Sequence, residues 1–107
     1  MKNDQVYPMG KLSMAIEKLA LHPGRVKERL KESMSYGFAQ FSPGAFSDDV
    51  QRRHEEIWEI ITSVPEEEAT EREGVLSASI NKLDEDEAEE LAHQIYSLYI
   101  TVLKEYR

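Results

Sequence analysis

Glu90-Leu91-Ala92-His93 places a carboxylate and an imidazole one helical turn apart, the unit from which di-iron helical bundles assemble a metal centre. Such a centre needs the unit twice, with two further glutamates, and none of the other histidines follows a Glu-x-x. The spacing therefore predicts a solvated pair, with Glu89 and Glu90 beside His93 and no metal held. His54 is different in kind. It falls between Val50 and Ile57 on the apolar seam of a helix, which predicts a buried imidazole hydrogen-bonded to backbone or to a carboxylate, with a pH-sensitive partner contact as the other reading.

Acidic pairs offer a second kind of chemistry. Glu56-Ile57-Trp58-Glu59 is Glu-x-x-Glu, half of the four-carboxylate pattern with which all-helical nucleotide pyrophosphatases hold two metals. The Glu-x-x-Asp half is missing, because Asn81 and Leu83 stand three residues before Asp84 and Asp86. Glu55, Glu56 and Glu59 then read as a solvated helix face. Asp84-Glu85-Asp86-Glu87 has the acid density of a calcium loop without its order, since Glu89 stands where the glycine belongs and Ile95 where the closing glutamate belongs. There is no glycine-rich phosphate loop and no Gly-x-Ser-x-Gly elbow, and Ser77 and Ser79 have no histidine near them in sequence. No catalytic residue, cofactor or metal ligand is assigned.

Two further clusters bear on partners. Arg25, Lys27, Arg29 and Lys31 flank an apolar helix stripe from two sides and are diluted by Glu28 and Glu32, which suits the chain's own acidic half better than DNA. Tyr36, Phe38, Phe41 and Phe46 crowd around the Ser42-Pro43-Gly44 turn, either plugging the end of a bundle or anchoring a partner.

The elements that position these groups read as helices. Ala88, Ala92, Ile95, Tyr99, Val102 and Tyr106 step by four and three, with Leu91, Tyr96, Leu98 and Leu103 widening the stripe; Asp84 and Glu87 suit a capping box. A second helix spans about Asp48 to Val64 before Pro65, and a shorter one follows from Thr70 and Glu73 to Asn81 or Leu83, weakened by Gly74. Upstream, Leu12 to Ala20 form a short helix, and Pro23 opens another through Val26, Leu30 and Met34. No segment alternates like a strand. The expected fold is all-α, a compact bundle of four to five helices with a long, broadly apolar C-terminal helix. Residues 1–10 are a candidate flexible tail, and residues 11–107 form a single helical domain.

Composition narrows the function. The 107 residues contain no cysteine, which excludes a disulfide framework, a thiolate zinc site and a cysteine nucleophile and points to a reducing compartment. Apolar runs fall far short of the roughly 20 residues of a bilayer span, and Met1 to Gln5 lack a signal peptide's apolar stretch, so a cytoplasmic protein without membrane partners is expected. The net charge of −8 opposes nucleic-acid binding. It is also polarised, with nine basic and six acidic residues in 1–54 against four and fifteen in 55–107. The reading is a non-catalytic protein–protein interaction module that binds a basic protein or itself, as a homodimer. The alternative is an acidic inhibitor of the antitoxin or immunity type directed at a basic nucleic-acid-handling protein; an enzyme with a site assembled from scattered Glu, His and Arg ranks third. The candidate partner-binding residues are Glu55, Glu56, Glu59, Glu66, Glu67 and Glu68 for steering, with Phe41 and Phe46 as anchors.

Overall fold

The computed structural model describes residues 3–70 and 74–106. The element that departs most from the sequence expectation is the first. Helix α1 runs Asn3–Leu21, so the segment set aside as a candidate tail is helical from Asn3 onward. The reason is a four-three seam: Gln5, Met9, Leu12, Ile16 and Leu19 share one face, with Gln5, Met9, Leu12 and Ala15 buried. The Gln5 side-chain amide donates to the Ala45 carbonyl at 3.1 Å, which ties the start of α1 to a distant turn. Pro8 lies in the second turn, where it removes the bond to the Asp4 carbonyl and its ring crowds that carbonyl.

Helix α2 spans Val26–Ser35 with Arg25 as its N-cap, so Pro23 stands before the helix and not at its first position. Val26, Leu30 and Met34 are buried along one side. Two 3-10 turns, Phe38–Gln40 and Pro43–Ala45, carry the aromatic segment to helix α3, Asp48–Ile61. The Ser47 hydroxyl caps α3 by accepting from the Val50 N–H at 3.3 Å. The helix ends three residues earlier than Val64. Val64 is nonetheless buried, its N–H donating to the Ser79 hydroxyl at 3.0 Å. A third 3-10 turn, Glu66–Glu68, precedes helix α4, Gly74–Asn81. Glu73 of the expected capping box lies outside the described residues. Gly74 is the first residue of α4 and has a φ of +77°, a conformation in which its missing Cβ is an advantage, so it is a start device and not an interior weakness. Helix α5, Glu85–Glu105, begins with the full Asp84/Glu87 capping box.

The bundle therefore has five α-helices and three short 3-10 turns among the described residues. α5 packs against α1, α2 and α3, while α4 closes against α2 and α3. A Cα radius of gyration of 13.5 Å is close to the ~13 Å of a compact chain of this length. The expectation of a broadly apolar C-terminal helix is corrected here. α5 buries Ala88, Leu91, Ile95, Leu98 and Val102, with Ala92 and Tyr99 partly buried beside them, whereas Tyr96 and Leu103 remain 53% and 41% exposed on its flank. α1, α2 and α3, the helices packed on α5, leave the flank bearing Tyr96 and Leu103 uncovered. No described helix is long and apolar enough to cross a membrane.

Candidate docking groove between the third and fifth helices

The Glu105 carboxylate, at the end of α5, accepts from both the backbone N–H and the hydroxyl of Ser47 at the start of α3. The two helices therefore lie side by side in opposite directions. On α3, Arg53, Glu56, Ile57 and Ile60 recur at i, i+3, i+4 and i+7, one side of the helix. On α5, Asp86 and Glu87, Glu90 and Leu91, Gln94, and Ser97 do the same. Two adjoining cavities open between these faces. The smaller, about 130 Å³, is lined by Arg53, Glu56, Ile57, Glu90, His93, Gln94 and Ser97. The larger, about 320 Å³, is lined by Ile60, Leu83, Asp86, Glu87, Glu90, Leu91 and Gln94. Glu90 and Gln94 border both, so the cavities form one groove with an aliphatic floor and an acidic wall.

The charges of that wall are unequally occupied. Arg53 donates its Nε–H to Asp49 at 3.2 Å, and Arg52 pairs with Asp49 and, at 3.4 Å, with Glu56. The hydrogen bonds and charges of Arg53 and Arg52 hold the Asp49 carboxyl below its ordinary value of 3.8. One oxygen of Glu87 accepts the Asp84 N–H at 2.9 Å. Glu90 has no hydrogen-bond or ion-pair partner among the described residues. The expected pair of His93 with Glu89 or Glu90 is not formed, although Glu90 and His93 line the same small cavity. No group of three or more His, Asp or Glu is placed to hold a metal among the described residues.

The residues singled out from sequence separate. Glu56 lines the groove, while Glu55 and Glu59 are exposed on the outer side of α3. Glu66, Glu67 and Glu68 are exposed on their 3-10 turn; Glu66 borders a different depression with Ala69 and Gly74. Phe41 and Phe46 are buried and stack on each other with ring centroids 6.0 Å apart, so they belong to the core and present no anchor to solvent. Phe38 is also fully buried, while Tyr36 is exposed beneath the Lys18 ammonium, 5.1 Å from its ring centroid. Of the basic run, Arg29 donates to the Leu19 carbonyl at 3.3 Å and Lys27 to the Asn81 carbonyl at 3.2 Å. Arg25, Lys27 and Lys31 line a depression shared with Glu85 of the acidic half.

His54 has no carboxylate or backbone partner for its buried Nε2. Its ring stacks on Phe38 at 5.3 Å and on Trp58 at 5.7 Å, and tilts against Phe41 at 5.6 Å. Desolvation inside this aromatic packing lowers the imidazole pKa below its ordinary 6.5, so the neutral ring is the folded form. Arg53, Ile60, Leu83, Gln94 and Ser97 are groove residues that sequence reasoning passes over. Their signal is the i, i+4 row Asp86, Glu90, Gln94, which becomes a wall only when α3 lies beside it. Comparison with protein-family models, curated proteins and solved structures finds no match to this small, all-helical chain.

Proposed function

We propose that this protein is a non-catalytic interaction module whose α3/α5 groove docks a cationic segment of a protein partner. The observation that carries the reading is the position of Glu90, a carboxylate without an internal counterion at the junction of two cavities floored by Ile57, Ile60, Leu83 and Leu91. Across both cavities four carboxylates face a single guanidinium, and that guanidinium, Arg53, is already held by Asp49. An amphipathic helix laid in such a groove buries its apolar side on the floor and meets its countercharge on the wall. Glu55, Glu59 and the Glu66–Glu68 turn lie outside the groove and add to the negative field that steers a cation toward it.

The probe is an amidated helical peptide of about 16 residues, long enough to hold a helix, with leucines on one face and basic residues along its border. Titrated into isotope-labelled protein, it is expected to shift amide resonances of Ile57, Ile60, Leu83, Glu90 and Gln94, and to bind several-fold more weakly as salt shortens the Debye length from ~8 Å to ~3 Å. Shifts centred on α1 or α2, or an affinity indifferent to salt, overturn the reading.

A further inference from the structure

We infer that the groove selects arginine: the partner residue that seats in the larger cavity is an arginine whose guanidinium bridges Glu90 and whose stem lies on Ile60, Leu83 and Leu91. This rests on the docking reading above and names the side chain that the docking surface takes.

The geometry makes two demands on the occupant. The open cavity of about 320 Å³ is far larger than the ~10–15 Å³ that one water needs, and its floor is aliphatic. Whatever fills it has to present methylene groups to Ile60, Leu83 and Leu91. Along one edge run Asp86, Glu90 and Gln94, spaced by four residues and so about 6 Å apart along the axis. Asp86 and Glu90 are exposed there, so an occupant that covers the floor and displaces their water has to supply hydrogen-bond donors in its place. A leucine or methionine meets the first demand and leaves the Glu90 carboxylate facing an apolar group, which costs it hydration without a replacement bond. A lysine meets both in part, but its compact ammonium is strongly hydrated and is desolvated at the groove edge for one point contact. An arginine meets both fully. Three methylenes cover the floor, and the planar guanidinium gives two parallel N–H bonds to Glu90 while a further N–H points along the wall toward Gln94 or Asp86.

The protein's own side chains leave this place open. Arg53 is held by Asp49 one turn earlier on α3, Arg52 bridges Asp49 and Glu56, and Glu87 has one oxygen committed to the Asp84 N–H. Glu90 and Asp86 are thus the wall acceptors without a partner among the described residues. Of these two carboxylates Glu90 is the one that borders both cavities, so a cation seated there neutralises the centre of the groove and lets neighbouring apolar residues of the same helix enter the smaller cavity.

The test uses four versions of the helical peptide, differing only at one position at the border of the leucine face: arginine, lysine, citrulline or norleucine. Dissociation constants are read from amide shifts of Leu83, Glu90, Leu91 and Gln94 in the intact protein. The arginine peptide is expected to bind about tenfold more tightly than the citrulline peptide and about fivefold more tightly than the lysine peptide, in keeping with a bidentate charge-assisted contact. Glu90→Gln should bring the arginine, lysine and citrulline peptides to within about twofold of one another, leaving the norleucine peptide unchanged. Asp86→Asn, at a position outside the capping box, should weaken the arginine peptide by a smaller factor. Groove binding with equal affinity for arginine and lysine, or tightest for norleucine, overturns the arginine assignment and leaves the docking reading standing. Absence of groove shifts with all four peptides overturns the docking reading and the arginine assignment with it.

Discussion

Replacing Gly37 by alanine tests how closely α1 and the turn after α2 approach. Gly37 has a φ of −179°, outside the left-handed region, and the constraint on its side chain is one of space. A Cβ built there falls 2.4 Å from the Ala15 nitrogen and 2.5 Å from the Lys11 carbonyl oxygen, where ordinary contact begins at 3.4 Å. Both obstacles are backbone of α1, which cannot swing aside as a side chain can. The helix has to retreat by about 1 Å, enough to forfeit a quarter to a half of each dispersion contact it makes there. Leu12 and Ala15, fully buried at this contact, lose most, and the 2.8 Å bond from the Ser33 hydroxyl to the Ala15 carbonyl stretches with them. Overpacking of this kind costs about 1–3 kcal/mol, and with rigid backbone on the receiving side the upper figure of about 3 applies. At ~4–8 °C per kcal/mol for a domain of this size, the melting temperature should fall by about 12–24 °C. Gly44→Ala is the control: its Cβ meets nothing within 4 Å, and it should be neutral or stabilising by ~0.4–1 kcal/mol. Thermal melts followed by circular dichroism, with urea midpoints alongside, read both variants. A Gly37→Ala protein that melts with the wild type would refute the close approach of α1 to this turn.

Stability should also depend on pH through His54. Its folded pKa lies below the ordinary 6.5 because the ring is desolvated, so the unfolded chain binds the proton first as pH falls. The stabilisation is complete above 6.5 and is lost as pH drops through the lowered value, with a slope of at most ~1.4 kcal/mol per pH unit from this one group. Urea midpoints measured from about pH 7.5 downward should fall for the wild type and fall less for His54→Phe, which keeps a ring between Phe38 and Trp58; equal slopes would count against His54 as the source. Ser79→Ala removes the hydroxyl that accepts the buried Val64 N–H, and should cost about 1–3 kcal/mol by leaving that donor unsatisfied. A chevron or equilibrium denaturation series that shows no loss would mean that the segment after α3 is not held by this bond.

The fold is legible wherever one helix carries its own start signal and a clean seam. Asp84 with Glu87 and the run from Ala88 to Val102 define α5, and Val50, Ile57 and Ile61 define α3, because capping and amphipathic burial are local in sequence. The errors have local causes too. Pro8 and a polar start hide the first turns of α1, yet Gln5, Met9 and Leu12 already stand on the seam that Ile16 and Leu19 continue. A polar glutamine on a seam looks like its end, and only the distant Ala45 carbonyl shows why it is inside. The apparent breadth of α5 arises because periodicity counts apolar residues without counting neighbours: Tyr96 and Leu103 fit the pattern, and the three helices that touch α5 leave them uncovered.

The groove shows the same division between what one segment can display and what two must make. Glu90 and His93 stand out in sequence as a turn-spaced pair, and that spacing does bring both to one cavity, but without the bond expected between them. What gives Glu90 its place is Ile57 and Ile60 on another helix, brought alongside by the Ser47–Glu105 link at the far end. The aromatic cluster is the converse. Phe38 and Phe41 stand out in sequence as candidate anchors for a partner, and the chain spends them on a stack with the half-buried His54 and the partly exposed Trp58 of α3. That stack holds the turn after α2 against the inner side of α3 and leaves the side bearing Glu56 and Ile60 to face α5. With one flank of α3 taken by the aromatic stack, the acidic, aliphatic groove lies on the other.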